Sequence, residues 1–227
     1  MINKSFVKII VIYVYLLFFI VIMLYKEPGF IVSKKQNVPG RTDEFKYSSD
    51  NYLNDKKMFC LENMYFPIAF SDDNKECILF EDTYGDSRSY GGERIHEGCD
   101  IMTKNNIRGE FPIVAVCDGY IEKIGWLELG GYRVGLRSET GVYYYYAHLY
   151  RYEEGISEGM KVYAGQILGY IGDSGYSKVQ GTTGNFDVHL HFGIYLTDEK
   201  GYEYTVNPYN LLKRLKKSVI QYNIKTK

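Results

Sequence analysis

The residues in this sequence best suited to chemistry are its four histidines, His96, His148, His189 and His191. Two of them form a His-x-His pair in Asp187-Val-His-Leu-His-Phe-Gly-Ile-Tyr195, a run in which residue types alternate. In an extended strand successive side chains point to opposite faces, so His189 and His191 share one face while Leu190 and Phe192 take the other. A sheet presents metal ligands in this way, with imidazoles on one side and apolar groups pressed into the core on the other. His96 lies in Arg94-Ile-His-Glu-Gly-Cys-Asp100, which places a carboxylate four residues after it. Taken singly, a strand histidine is more often a surface or hydrogen-bonded core residue than a ligand, and His148, in Tyr146-Ala-His-Leu149, has nothing to distinguish it. Taken together, His-x-x-x-Asp and His-x-His offer two nitrogens and an oxygen, the donor set of a catalytic zinc site that keeps one position open. A structural site would close that position, usually with Cys. Cys99 is adjacent, but on an extended segment it points away from Asp100.

The segments that must hold these residues read as short strands. Of 23 glycines, 21 fall between Gly85 and Gly201, where apolar runs alternate with turn residues. Asp118-Gly119, Glu139-Thr-Gly141 and Gly172-Asp-Ser-Gly175 carry turn chemistry. The 24 Tyr and 12 Phe suit half-buried strands. An all-β antiparallel domain is expected over 84–210, with the tail from Pro208 helical because Leu211, Leu212, Leu215 and Val219 fall on one face.

The motifs resemble those of the lysostaphin-like, or LytM-type, zinc endopeptidases, the β-lytic metallopeptidases that cut peptidoglycan peptides. Arg94-Ile-His96-Glu-Gly-Cys-Asp100-Ile matches the family's His-x-x-x-Asp motif and Tyr146-Ala-His148-Leu its Tyr-x-His-Leu element. Gly159-Met-Lys-Val-Tyr-Ala-Gly165-Gln-Ile-Leu-Gly169 matches the hairpin that usually follows, and Gly184 to Phe192 covers the His-x-His motif. The resemblance spans about residues 84–210. It implies the family's antiparallel fold, one zinc ion per chain held by His96, Asp100 and His191, and His189 as general base with His148 orienting the water or stabilising the oxyanion. Two departures bear on the substrate pocket. Val188 stands where relatives have a small residue or proline, after a longer loop. The tyrosine that some relatives carry beyond Gly-Trp is replaced by Leu129, with Tyr132 as a substitute three residues on. Asn185 and Asp187, beside the histidine pair, are candidate partners fixing imidazole tautomers, or simply turn residues.

The rest of the chain sets location. Residues 9–25 are 17 uncharged, almost wholly apolar residues preceded by Lys4 and Lys8. That predicts one transmembrane helix, with residues 1–26 forming a cytoplasmic tip and signal anchor and the domain held outside the cytoplasm. A cleaved signal peptide is the competing reading, but the apolar run is longer than a signal core and no small-x-small site follows. Residues 27–57 read as a stalk, 58–83 as an extension packed on the domain, and 211–227 as a basic tail. Residues 1–26 and 213–227 contain no acidic residue, whereas 27–212 carry 18 basic and 28 acidic residues, a formal −10. The overall charge of −1 gives no footprint for nucleic acid. The four cysteines, Cys60, Cys77, Cys99 and Cys117, allow three full pairings, of which Cys99 with Cys117 suits an oxidising exterior.

The sequence therefore points to a membrane-anchored zinc endopeptidase of peptidoglycan. Its main rival is a non-catalytic wall-binding or scaffolding module on the same fold, and a structural-zinc domain is the second. Which peptide bond is cut, and whether a partner activates the enzyme, are left open by the sequence.

Overall fold

The structure, a computed structural model, describes residues 63–222. Alternating apolar and polar positions have produced strands throughout, and all the pairings are antiparallel. The strands in chain order are β1 (Ile78–Phe80), β2 (Ser87–Arg88), β3 (Arg94–Ile95), β4 (Cys99–Thr103), β5 (Pro112–Val114), β6 (Gly119–Leu127), β7 (Gly131–Ser138), β8 (Tyr143–Leu149), β9 (Arg151–Tyr152), β10 (Lys161–Val162), β11 (Ile167–Tyr170), β12 (His189–Thr197) and β13 (Glu203–Val206). One eight-stranded sheet runs β1-β4-β12-β8-β7-β6-β10, with β13 also paired to β12. A three-stranded sheet runs β5-β11-β9, and β2 pairs with β3 alone.

The pleat sorts the side chains of the large sheet. Cys99 and Ile101 of β4, Tyr144 and Tyr146 of β8, and Leu190, Phe192 and Ile194 of β12 are fully buried on its inner face. They form one core with Phe111, Ile113, Leu168 and Ile171 from around the small sheet. Each large apolar side chain buried this way contributes about 1.5–3 kcal/mol. A buried tyrosine hydroxyl needs a partner, and the Tyr146 hydroxyl accepts the Val116 N–H at 3.0 Å. The outer face of the same strands carries Asp100, His189, His191, Tyr143 and Tyr145.

Met64, Phe66, Ile68 and Phe70 enter the same core, so the segment ahead of β1 is part of the fold. The tail differs from its sequence pattern. A helix, α1, spans only Tyr209–Leu215, burying Leu211, Leu212 and Leu215. Beyond it the Ser218 and Ile220 carbonyls accept the Phe66 and Phe70 N–H groups at 2.9 and 3.1 Å. Val219 packs on the core from this bonded stretch, because strand-like bonds to the extension replace the last helical turn. The segment Gly159–Gly169 is likewise no simple hairpin: β10 pairs with β6 in the large sheet, and β11 with β5 and β9 in the small one. The membrane helix expected over residues 9–25 lies outside the described residues. Among those described, no helix is long and apolar enough to cross a membrane.

Candidate metal centre

Strands β4 and β12 lie side by side with Asp100 directly opposite His191. His96 precedes β4 by a short link whose Gly98 permits close approach. A Cβ there would lie 2.6 Å from both the His191 ring and the Phe192 carbonyl. Three atoms consequently converge. His96 Nε2 lies 2.8 Å from His191 Nδ1 and 3.0 Å from Asp100 Oδ1, and His191 Nδ1 lies 3.1 Å from Asp100 Oδ1. The other ends are tied back. His96 Nδ1–H donates to the Thr83 carbonyl at 2.7 Å, the Thr83 hydroxyl accepts the Asp100 N–H at 3.2 Å, and Asp100 Oδ2 accepts from Arg88 at 3.0 Å. With its proton committed to Thr83, His96 can offer only a lone pair at Nε2. Burial works against the Asp100 charge, but hydrogen bonds with His191 and His96 and the nearby His189 outweigh it, and its carboxyl sits well below the usual carboxylate range. Electron-pair donors aimed at one point repel unless a proton or cation lies between them, and two imidazoles with a carboxylate suit zinc. These three residues fit the metal.

The other two histidines flank that point. His189 Nδ1–H donates to the Asp187 carbonyl at 2.7 Å, which leaves Nε2 bare, 3.8 Å from Asp100 Oδ1. His148 Nδ1–H donates to the Ser174 carbonyl at 2.8 Å, and its ring centroid lies 4.7 Å from that of His189. The register explains how a β8 residue reaches this place. Tyr132 of β7 pairs with Leu149 of β8, and Val134 with Tyr146, so Arg133 alone opposes the two residues Ala147 and His148. This β-bulge puts His148 at φ +64°, left-handed for a non-glycine residue, and re-aims its ring. Burial, then the neighbouring His189 and His191, push the His148 pKa well below its ordinary value, so the ring is neutral at pH 7. Burial also lowers that of His191.

The profile of Peptidase family M23 matches residues 94–208, half of the chain. The chain belongs to peptidase family M23. Among its relatives, the L-Ala--D-Glu endopeptidase of Bacillus subtilis (strain 168) is 39% identical over 144 residues, 63% of this chain and 41% of that protein. Lysostaphin of Staphylococcus simulans is 36% identical over 83 residues, 36% of this chain and 15% of lysostaphin. This chain thus spans less than half the length of either. A LytM-type structure from Ruminococcus gnavus ATCC 29149 superposes with a TM-score of 0.65 at 40% identity, covering 75% of this chain and 66% of that one. The resemblance drawn from the motifs is therefore a family relationship, and the M23 peptidases are metallopeptidases.

The rest of this M23 site comes from the loop 171–188 between β11 and β12. Its buried Asp173 receives Arg108 Nε and Nη2 at 2.5 and 2.8 Å and the Gly184 N–H at 2.8 Å, which pins the loop at both ends. Phe186 packs on His148 and His189 with centroids 4.6 and 5.1 Å away. Tyr176 lies 5.9 Å from His148 and stacks on Tyr90 at 4.3 Å, while Arg94 donates to the Tyr176 hydroxyl at 3.3 Å. Phe186, Tyr176, Tyr90, Ser174 and Thr83 escaped the sequence reading, since aromatic and backbone contacts across loops leave no spacing signal.

Asp187 does fix an imidazole, through its backbone: its carbonyl accepts from His189 Nδ1–H at 2.7 Å, while its carboxylate accepts from Asn106 at 3.1 Å. Asn185 donates instead to the Gly175 and Tyr176 carbonyls at 3.2 and 3.4 Å, bracing the loop that carries Ser174. Tyr132 packs edge-on against Trp126 and Tyr152, centroids 5.2 and 5.5 Å away, with its hydroxyl beside Gly181 of the loop 171–188. Cys99 faces the core, as strand alternation requires. Its thiol donates to the Glu81 carbonyl at 3.0 Å and burial pushes it up to about 11; no bond joins it to Cys117.

Proposed function

We propose that this chain is a membrane-anchored, extracytoplasmic zinc endopeptidase that hydrolyses peptide bonds of cell-wall peptidoglycan. The observation carrying the reading is the convergence of His96 Nε2, Asp100 Oδ1 and His191 Nδ1 within 3.1 Å, beside two further imidazoles with bare Nε2 atoms. Relatives named L-Ala--D-Glu endopeptidase, glycyl-glycine endopeptidase and lysostaphin support it. When bound by the three donors, zinc supplies Lewis acidity, lowering the pKa of a water from about 15.7 towards 7 and polarising the scissile carbonyl.

The chain's own residues supply the proton traffic. His189 Nε2 takes a proton from the attacking water as its oxygen bonds to the carbonyl carbon. His189 then gives the proton to the leaving amide nitrogen as the C–N bond breaks. His148, neutral and with Nδ1–H fixed by Ser174, presents a lone pair at Nε2. That suits accepting a hydrogen bond from the water and thereby orienting it, in preference to donating to an oxyanion. Phe186 and Tyr176 cover the two rings and limit access of bulk water.

A non-catalytic module on this fold would have no use for two histidines held in one tautomer beside a three-donor cluster. Residues 9–25 anchor the chain in the membrane, with the basic N-terminus inside; an activating partner is compatible with this arrangement. Digestion of defined muropeptides by the zinc-loaded chain, followed by mass spectrometry, tests the reading. Cleavage that stops on chelation and returns with zinc supports it; intact muropeptides with zinc bound would leave the binding-module reading in its place.

A further inference from the structure

The small hairpin of β2 and β3 meets the metal centre at two points. His96 follows β3 directly. Its N–H donates to the Asp86 carbonyl at 2.8 Å, and its carbonyl accepts the Gly85 N–H at 2.9 Å. The second point is Arg88 of β2, whose Nη2 donates to Asp100 Oδ2 at 3.0 Å. One hairpin therefore fixes a histidine of the cluster and places a guanidinium on the carboxylate beside it.

Pairing within the hairpin does not account for Arg88. Arg94 stands directly opposite it on β3, and like charges so placed are destabilising. Arg94 finds the Tyr90 carbonyl and the Tyr176 hydroxyl at 3.4 and 3.3 Å. Arg88 takes other partners. Its Nη1 donates to the Ser87 carbonyl at 3.3 Å and lies 3.8 Å from the exposed Asp86 carboxylate, while Nη2 makes the short bond to Asp100. The Arg88 and Asp100 side chains are only 24% and 18% exposed, so solvent screens this pair less than a surface one.

The two oxygens of Asp100 are thereby given different partners. Oδ1 lies 3.0 Å from His96 Nε2 and 3.1 Å from His191 Nδ1, whereas Oδ2 is held by Arg88. A carboxylate can bind one cation through a single oxygen or through both. Binding through both would add a fourth protein donor, and a hydrolytic site needs that position for water. A charge-assisted hydrogen bond is about twice as strong as a neutral one, and here it opposes the second donation.

We propose that Arg88 is a positioning residue that holds Oδ2, so that Asp100 gives the metal Oδ1 alone and the position beside His148 and His189 stays open to water. This rests on the endopeptidase reading above and adds to it the residue that keeps the site open.

The test strips the full chain of metal in detergent and loads it with Co²⁺, whose visible absorption is strong in four-coordinate sites and weaker in five-coordinate ones. The wild-type chain should show the strong band. Arg88→Met, with neither charge nor donor, should show the weaker five-coordinate band while binding Co²⁺ no less tightly. Arg88→Lys keeps one charged donor and should move back towards the strong band. An arginine that merely buttressed the fold would behave otherwise: its loss would weaken metal binding by about 10- to 100-fold, as loss of a ligand's support does, without changing the band. That result overturns the proposal. So does a wild-type band in Arg88→Met, a band in Arg88→Lys no stronger than in Arg88→Met, or a weak band or no bound metal in the wild-type chain. The wild-type spectrum needs no variant and stands even if Arg88→Met misfolds. Failure of the endopeptidase reading looks different: the bands follow this order while the zinc-loaded chain leaves muropeptides intact.

Discussion

At the scale of single residues, the centre depends on which nitrogen of each imidazole carries the proton. Backbone carbonyls decide this for three of them, Thr83 for His96, Ser174 for His148 and Asp187 for His189. His189 and His191 share a strand face yet differ in role, because His191 turns Nδ1 into the three-donor cluster while His189 Nδ1 is already committed. Replacing His191 by Ala should abolish bound zinc and activity together. His189→Ala and His148→Ala should keep zinc and lose about 10²–10⁴-fold in rate, the span of general acid–base catalysis. Zinc content of the purified variants checks this, and loss of zinc from His189→Ala but not from His191→Ala would reverse the assignment. His148 also has a signature in stability. Unfolded, it takes a proton near pH 6.5; folded, burial and its histidine neighbours keep it neutral to lower pH. The unfolded state binds more protons in that window, so stability falls as pH drops below about 6.5 and is flat above about 7. Thermal melts of the chelated protein from pH 5 to 8 should show this slope. His148→Asn, a residue that tolerates left-handed backbone, should make it shallower, the remainder coming from His191, whose pKa burial also lowers. Much of this level was legible: the His-x-x-x-Asp and His-x-His spacings brought His96, Asp100, His189 and His191 together because strand alternation is strict. Thr83 and Ser174 were not, since they act through carbonyls that every residue possesses.

At the scale of elements, the site is made by local departures from a regular sheet. The bulge on β8 turns His148 towards the metal cluster, and Asn106 and Tyr176, also left-handed at φ +53° and +50°, hold the flanking loops. Asn106 accepts the Val188 N–H at 2.6 Å immediately before β12 begins. Strand type and the Glu139–Gly141 turn could be read from periodicity. A bulge cannot, because it is a mismatch between two strands and neither sequence shows it alone. The C-terminal helix was over-extended through Val219 for a similar reason: the partner that captures residues 218–220 lies in the extension, about 150 residues away in sequence. Gly98 tests the element level. A methyl group there meets both the His191 ring and the Phe192 carbonyl at 2.6 Å, and backbone cannot yield as a side-chain tip does. Gly98→Ala should destabilise the domain by about 1–3 kcal/mol, as overpacking does. By displacing His191 it should also weaken zinc binding by about 10- to 100-fold. Chemical denaturation and competition with a zinc chelator measure the two effects separately; unchanged zinc affinity would show that the His96–His191 approach is not fixed by this glycine.

At the scale of the whole molecule, the parts of the sequence outside the M23 match divide in two. Residues 63–80 are built into the domain: Phe66 and Ile68 are fully buried, and β1 pairs along its length with β4, the strand that carries Asp100. The described part of the extension therefore buttresses the strand that carries Asp100. Residues 9–25 carry a different message. Seventeen apolar residues as a helix would span about 25 Å at 1.5 Å each, close to the lower limit for a bilayer core of about 30 Å. Lys4 and Lys8 precede them and acidic residues are absent before position 27, the distribution expected of the proposed anchor with its N-terminus in the cytoplasm. On the proposed anchoring, the 31 residues of 27–57 span at most about 100 Å and would bound how far from the membrane the domain acts. The body between the basic ends carries a formal −10, so on the proposed reading residues 9–25, and not attraction of the body to anionic lipid, would hold the protein at the bilayer. The intact protein should accordingly fractionate with membranes and resist extraction by high salt. Protease added outside the cell should remove the domain, while a tag at the N-terminus stays protected. N-terminal sequencing of the mature protein decides between the two readings of the segment: a chain beginning near residue 27 replaces the anchor with a cleaved signal peptide and releases the domain into the wall.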